Sequence, residues 1–451
     1  MNVAKLGDIA RVFNGNSISV AEKNKNYRGV DGIPYIGTAE VSFDTEINYE
    51  SGVAVPTCKL SAFKLAKAGT PLVCAEGGSA GRKVGFLDRA ACFGNKLFAI
   101  EPKGKWDGRF LFYFCRSEEF RDQFRSLTTG LIGGVSIKKF KEIEVPAFPL
   151  EEQRRIVAVL DEAFAAIGIA TANTEKSLAN AREIFDFALD RAIMGKMGGE
   201  EATRGSAQEL LSSLNGLRAL AVAQGRAKKF KGDVVDGDRE RFGDVPASWC
   251  WAQLESLTTG ISDGVHKTPK YVPDGIPFVT VKNLTAGSGI SFDSLSYITE
   301  DDHDEYIKRT HPENGDILIS KDGTIGVVRR IETDIKFSIF VSVALLKPLT
   351  KELGRYLTYA LRANCVQRQI VPQGTALKHL YLNDLRRMMI PLPSPEAQEF
   401  VCDQLDGLSI ATQELEGQYI KKLNGLRELK QAFLREAFTG ELTATPDLVP
   451  A

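Results

Sequence analysis

The chain is written twice. Pro146-Ala-Phe-Pro-Leu-Glu-Glu-Gln153-Arg-Arg-Ile-Val157 returns about 245 residues later as Pro391-Leu-Pro-Ser-Pro-Glu-Ala-Gln398-Glu-Phe-Val401. Lys176-Ser-Leu-Ala-Asn-Ala-Arg182 returns as Lys421-Lys-Leu-Asn-Gly-Leu-Arg427, and Gly195-Lys-Met197 as Gly440-Glu-Leu442. Upstream the match is looser: Gly32-Ile-Pro34 against Gly275-Ile-Pro277, Gly69 against Gly315 and Gly81 against Gly326. Solenoid repeats recur every ~20–50 residues. A unit this long is instead a duplicated domain, and it presents two related surfaces to whatever the protein meets.

After the first repeat motif the hydrophobic period changes. Apolar or small residues fall at Ile156, Leu160, Ala163, Ile167, Ala170, Thr174, Leu178, Ala181, Phe185, Ala188 and Ala192, with no proline from Leu150 to Met194. The spacing averages the ~3.6 residues of an α-helix turn, which predicts one long amphipathic rod of roughly 65 Å. A second rod is expected from Pro395 to about Phe438, with Val401, Leu405, Leu408, Leu415, Tyr419, Leu423, Leu426, Leu429 and Phe433 on its apolar side. Two such stripes need partners, and a duplicated pair related by a pseudo-two-fold axis would pair antiparallel.

The rest divides around the rods. Residues 1–148 mix β-like runs (32–37, 70–75, 96–100) with a helix expected from Arg109 to Leu127. The expected fold is α+β: two similar globular domains (1–148 and 244–393) separated by a pair of long antiparallel helices (149–197 and 394–440), pseudo-two-fold duplicated. Residues 198–243 have no counterpart and read as a linker with a short helix from Ala207 to Ala227, and 441–451 read as a disordered tail.

Composition excludes several classes. No unbroken apolar run approaches the ~18 residues of a membrane span, and the first residues lack the layout of a signal peptide. Seven cysteines without a Cys-x-x-Cys pair fit reduced thiols in a cytoplasm better than disulfides or zinc. Net charge is −1, but residues 1–148 carry 21 Lys+Arg against 16 Asp+Glu, residues 244–393 carry 17 of each, and the remainder is acidic. Local basic patches are therefore available for a polyanion.

Motifs for chemistry are weak. Gly77-Gly-Ser79-Ala-Gly81 satisfies the nucleophile-elbow pattern of α/β-hydrolases, but no doubly wound βαβ pattern surrounds it, and every histidine lies in the other repeat. Asp274 with Asp334 and Lys336 forms a nuclease pattern only by coincidence, and no P-loop, methyltransferase loop or metal-ligand spacing occurs. What remains is loop chemistry suited to duplex DNA. Lys23, Lys25, Asn26 and Arg28 cluster in one segment of the first unit, Ser79, Arg82 and Lys83 in a glycine turn, and Thr129 with Lys138 and Lys139 in a third. The matching places of the second unit hold His266 and Lys267, then Lys321 and Thr324, then Gln373, Thr375 and Lys378. Such residue types read base edges or hold phosphates.

With these motifs the chain resembles the specificity subunits of type I restriction–modification systems. The resemblance rests on residues 149–157 and their echo at 395–401, on the Leu6-Gly-Asp-Ile9 opening and on Pro246-Ala-Ser-Trp249. It implies two target-recognition domains, each reading half of a bipartite asymmetric site in double-stranded DNA. It also implies helices that act as a spacer and dock two methyltransferase subunits, with motor-nuclease subunits joining them. Catalysis would then belong to the partners, which would hold S-adenosylmethionine, ATP and magnesium, and this chain would carry no cofactor. A specificity subunit of a related type IIB-like or phage-exclusion system is the alternative. The second copy departs at Ala397, Glu399 and Phe400, where the first has Glu152, Arg154 and Arg155.

Overall fold

The computed structural model describes residues 2–128, 133–229, 242–371 and 379–443. The chain forms two compact units, one of residues 1–176 with 419–451, the other of residues 177–418. Each unit therefore takes a part of both long helices.

In the first unit, β2 (Ala10–Asn14), β6 (Pro71–Cys74), β7 (Val84–Phe86) and β9 (Leu97–Pro102) form an antiparallel sheet of order β2-β9-β6-β7. A second sheet of order β4-β3-β8-β5 contains β3 (Ile33–Ile36), β4 (Ala54–Val55), β5 (Leu65–Ala66) and β8 (Ala91–Phe93), with β3 and β8 parallel. The short strands β1 (Val3–Lys5) and β10 (Glu144–Pro146) pair antiparallel.

The second unit repeats this wiring. Its antiparallel sheet β12-β18-β15-β16 is built from Thr258–Asp263, Val343–Pro348, Ile317–Ser320 and Val328–Arg330. Its smaller sheet β14-β13-β17 uses Ser296–Ile298, Ile276–Val279 and Ser338–Ile339, again with one parallel pair, β13 and β17. The pair β11 (Cys250–Gln253) and β19 (Met389–Leu392) matches β1 and β10. A backbone crossing confirms the equivalence. A Cβ on Gly15 would lie 1.8 Å from the Phe93 carbonyl oxygen, and one on Gly264 would lie 2.0 Å from that of Ile339. Both positions follow the first long strand, and only glycine fits them.

The repeated helix motif acquires a physical meaning. Helices Leu150–Ile193 and Pro395–Thr439 begin where the repeated glutamines fall. Gln153 is buried, donates to the Phe148 carbonyl (2.8 Å) and accepts from the Asp107 amide (2.9 Å). Gln398, also buried, donates to the Pro393 carbonyl at the same spacing (3.0 Å). The repeated Gly195 and Gly440 end the helices in the left-handed conformation, at φ +66° and +85°. The next amide reaches back five residues in each, Lys196 to Arg191 and Glu441 to Glu436, which is the Schellman closure.

All eleven positions read as the stripe of the first helix are buried or partly buried. In the second helix Leu415 and Leu429 are exposed, one residue off the stripe. Their slots are taken by Glu416, which pairs with Arg182 (3.0 Å), and by Lys430, whose ammonium lies 5.2 Å from the Phe164 ring centre. Within the first unit, Ile156 and Leu160 share a core with Leu434, Ala437 and Phe438. Within the second, Phe185, Leu189 and Ile193 share one with Val401 and Leu405. The helix segments thus run antiparallel in each unit. The first helix is long and apolar enough to cross a membrane by length and composition, although it holds no unbroken apolar run. Its Ile156 and Leu160 lie in the first unit's core, and its Asp161 carboxylate is paired to that unit.

Three expectations need correction. The helix expected from Arg109 to Leu127 is two, Gly108–Phe114 and Glu118–Leu127, because the Ser117 hydroxyl caps the second by accepting from the Phe120 amide (3.2 Å). The helix from Ala207 ends at Ala223. The tail expected from 441 begins in the core: Leu442 is buried against the first unit, and the Thr443 hydroxyl bonds Glu152. The rest of that tail, and most of the 228–243 linker, lie outside the described residues.

Gln153→Ala removes a buried side chain that satisfies two backbone groups, so it should cost about 1–3 kcal/mol. Gln398→Ala should cost a similar amount, and denaturant unfolding of each variant measures it.

Candidate nucleic-acid interface

Each candidate surface lies at one end of its unit's larger antiparallel sheet. In the second unit β12 ends at Asp263, whose carboxylate is only 7% exposed. Its backbone carbonyl accepts from the Thr310 hydroxyl (2.7 Å). Three cationic or ionisable side chains converge on the carboxylate. Arg309, just past helix Glu300–Ile307, bonds Oδ1 (2.6 Å); His266 Nε2 lies 3.4 Å away; Lys321 Nζ lies 3.7 Å from Oδ2. Lys321 opens the turn between β15 and β16 and also faces Asp322 at 3.7 Å. Asp322 in turn bonds His379 Nδ1 (2.5 Å), and these two residues form an isolated β-bridge. Thr324 is exposed on the same turn, which closes at Gly326 with φ +86°.

The geometry therefore joins His266, Lys321 and the His379 segment, which together span more than 100 residues of sequence. It also changes their standing. Lys321 is 11% exposed and held between two carboxylates, so it acts as an internal strut. Lys267 is exposed beside the cluster. Gln373, Thr375 and Lys378 lie outside the described residues.

In the first unit the equivalent strand β2 ends at Asn14, which accepts from Lys64 Nζ (2.8 Å). The turn between β6 and β7 carries Ser79, Arg82 and Lys83, and it joins two antiparallel strands. That strand–turn–strand setting removes the nucleophile-elbow reading of Ser79. The Ser79 carbonyl accepts from the amides of Arg82 and Lys83, while Lys83 Nζ donates to the Thr38 carbonyl (3.0 Å). Arg82 and Lys83 both face the ring of Phe43, at 5.3 and 5.0 Å, and that ring is exposed. The following loop returns beside this turn through the Glu76–Gly134 bridge and leads to helix Ile137–Phe140, where Lys138 and Lys139 are exposed. Thr129 lies outside the described residues.

Lys23, Lys25 and Asn26 lie on the helical turn Lys23–Tyr27, and Arg28 follows it. Lys23 sits over the Tyr35 ring at 4.8 Å, while Lys25 and Arg28 are exposed. Their alignment with His266 and Lys267 does not hold. The bridges Asn16–Gly94 and Val265–Phe340 are equivalent, so the segment from Asp263 to Val265 matches that from Asn14 to Asn16. Sequence reading missed Arg309, Lys64, Phe43 and Lys96, whose ammonium lies 3.7 Å from Glu76 beside the β6–β7 turn. One signal for the correct frame was present: Asn14-Gly15 and Asp263-Gly264 each follow a β-like run.

Both units are tied to the long helices by the same three side chains. Arg109 and Tyr113, one turn apart, bond Asp161, with the arginine Nε at 2.8 Å. Arg355 and Tyr359 bond Asp406, with Nε at 3.0 Å, and Arg355 also reaches Asp403 (2.8 Å). Burial first, and then the carboxylate, push both phenol pKa values up, so the hydroxyls remain donors.

A duplicated α+β scaffold with divergent polar clusters at matching strand ends defines the class, and comparison with known proteins identifies it. The family model "Type I restriction modification DNA specificity domain" matches residues 1–179 and 265–425, and the chain belongs to that family. It is 25% identical to the type I restriction enzyme EcoBI specificity subunit of Escherichia coli over 326 residues, covering 70% of this chain and 63% of that one. It is 22% identical to the MjaVIII specificity subunit of Methanocaldococcus jannaschii over 422 residues, covering 90% and 85%. A chain solved in work on complex assembly and conformational transition of the type I R-M system superposes with a TM-score of 0.61 at 18% identity, covering 98% of each chain.

Gly15→Ala and Gly264→Ala each drive a Cβ into a backbone carbonyl. Each should cost roughly 3–5 kcal/mol, in the severe range for single substitutions. Thermal melting followed by circular dichroism checks this, and a shift of only a degree or two would contradict it.

Proposed function

We propose that this chain is the DNA sequence-specificity subunit of a type I restriction–modification complex. Each unit reads one half of a bipartite asymmetric site in double-stranded DNA. The long helices dock two methyltransferase subunits, and motor-nuclease subunits complete the assembly in the cytoplasm. The chain itself is not an enzyme and holds no cofactor. S-adenosylmethionine, ATP and magnesium belong to the partners.

One observation carries this reading beyond family membership. The two units keep the same scaffold but differ in chemistry at equivalent places. Asn14 stands where Asp263 does, Ala75 where Lys321 does, Glu76 where Asp322 does, and Gly134 beside the turn where His379 does. A duplicated enzyme would be expected to keep its reacting groups in both copies or lose them in one. Two readers of unlike sequences need a common frame with different side chains at the reading edge.

Methylation mapping of the host genome tests the proposal. A two-part modified motif should be present with the gene and vanish on its deletion. Replacing residues 1–148 by those of a relative, with the core positions facing Leu434, Phe438 and Leu442 kept, should change one half of the motif and leave the other intact. A change in both halves would refute independent reading.

A further inference from the structure

The Asp263 cluster is poorly suited to phosphate. Its two carboxylates, Asp263 and Asp322, offset Arg309 and Lys321, so neither of these two cations stands uncompensated. Phosphate binding draws on uncompensated cations that displace counterions. What this cluster supplies is direction. Asp263 is buried and cannot reorient freely, while Arg309 is 59% exposed and bonded to it through Nη2 alone. His266 Nε2 lies beside the same nitrogen at 3.3 Å. Among the described residues, no protein acceptor meets Arg309 Nε or Nη1. A guanidinium pinned at one corner, with donors left over, matches the paired acceptors N7 and O6 on the major-groove edge of guanine.

We propose that Arg309 is the guanine-reading side chain of the second unit and that Asp263 is its positioning residue. The inference rests on the proposed role of the chain and deepens it, because it names a base and a residue. The first unit lacks the device. There, Asn14 holds an ammonium, that of Lys64, which has no planar fork to offer a base edge. Among the described residues this carboxylate-pinned arginine is therefore a feature of the second unit.

The test uses the whole chain in its host with its modification partners, and reads the methylated motif genome-wide for wild type, Arg309→Ala, Arg309→Lys and Asp263→Asn. The wild-type half-site assigned to the second unit should contain a G·C pair. At that single position Arg309→Ala should lower discrimination by roughly 10- to 100-fold, the range of one bidentate contact, with the first half-site unchanged. Arg309→Lys should not restore it, since lysine cannot bond both acceptors in the same plane. Asp263→Asn should loosen the same position partially. Arg309 is exposed, and matching melting curves for wild type and Arg309→Ala would show that the fold is retained. An unchanged motif methylated less at every site would make Arg309 a phosphate contact and overturn the proposal. Relaxation in the first half-site, or a second half-site without G·C, would overturn it equally. A wild-type genome with no bipartite motif would remove the parent role, and this inference with it.

Discussion

Neither globular core is closed by its own half of the chain. The first needs Leu434, Ala437, Phe438 and Leu442, which arrive at the far end of the sequence and set Phe438 against Phe110 and Phe114, with ring centres 5.3 and 5.5 Å apart. The second needs Phe185, Leu189 and Ile193, which arrive before its own first strand. Burying each of these large apolar side chains is worth on the order of 1.5–3 kcal/mol. That exchange is the constraint on which the rest depends. It obliges the long helices to run antiparallel, and it makes each unit a product of both repeats.

The exchange also explains which repeated residues survived duplication. Gln153 and Gln398 remain because each occupies a buried slot at the start of a helix, while the flanking residues could change from Arg154 and Arg155 to Glu399 and Phe400. Gly195 and Gly440 remain because the chain must reverse in a left-handed conformation. The Arg–Tyr–Asp groupings around Asp161 and Asp406 couple each sheet region to its helix at the same place. Fixed joints and variable tips suit the proposed positioning of two unlike readers. A tip can change without disturbing the core, since Arg309 and Lys83 touch the frame through polar contacts at its edge.

Much of this was legible in the order of residues. The duplication, both long helices and the three β-like runs of the first unit follow from periodicity and punctuation, which are local properties. The failures were local ambiguities settled by distant partners. Leu415 and Leu429 satisfy a helical stripe as well as their neighbours, and only Arg182 and Phe164 decided that Glu416 and Lys430 face inward. The break at Ser117 is made by a hydroxyl that caps the next helix at the Phe120 amide, a contact that apolar spacing does not mark.

By itself the sequence determined that there are two copies, that each carries a long amphipathic helix, and that polar loops differ between them. Only the tertiary structure decided which loops meet. Asp263, Arg309, Lys321 and His379 span more than 100 residues of chain and share no periodicity. They come together because β12, β15 and β18 lie side by side and open at a common end. Hydrogen-bonded strand order is a long-range pairing, and nothing in the spacing of those residues encodes it.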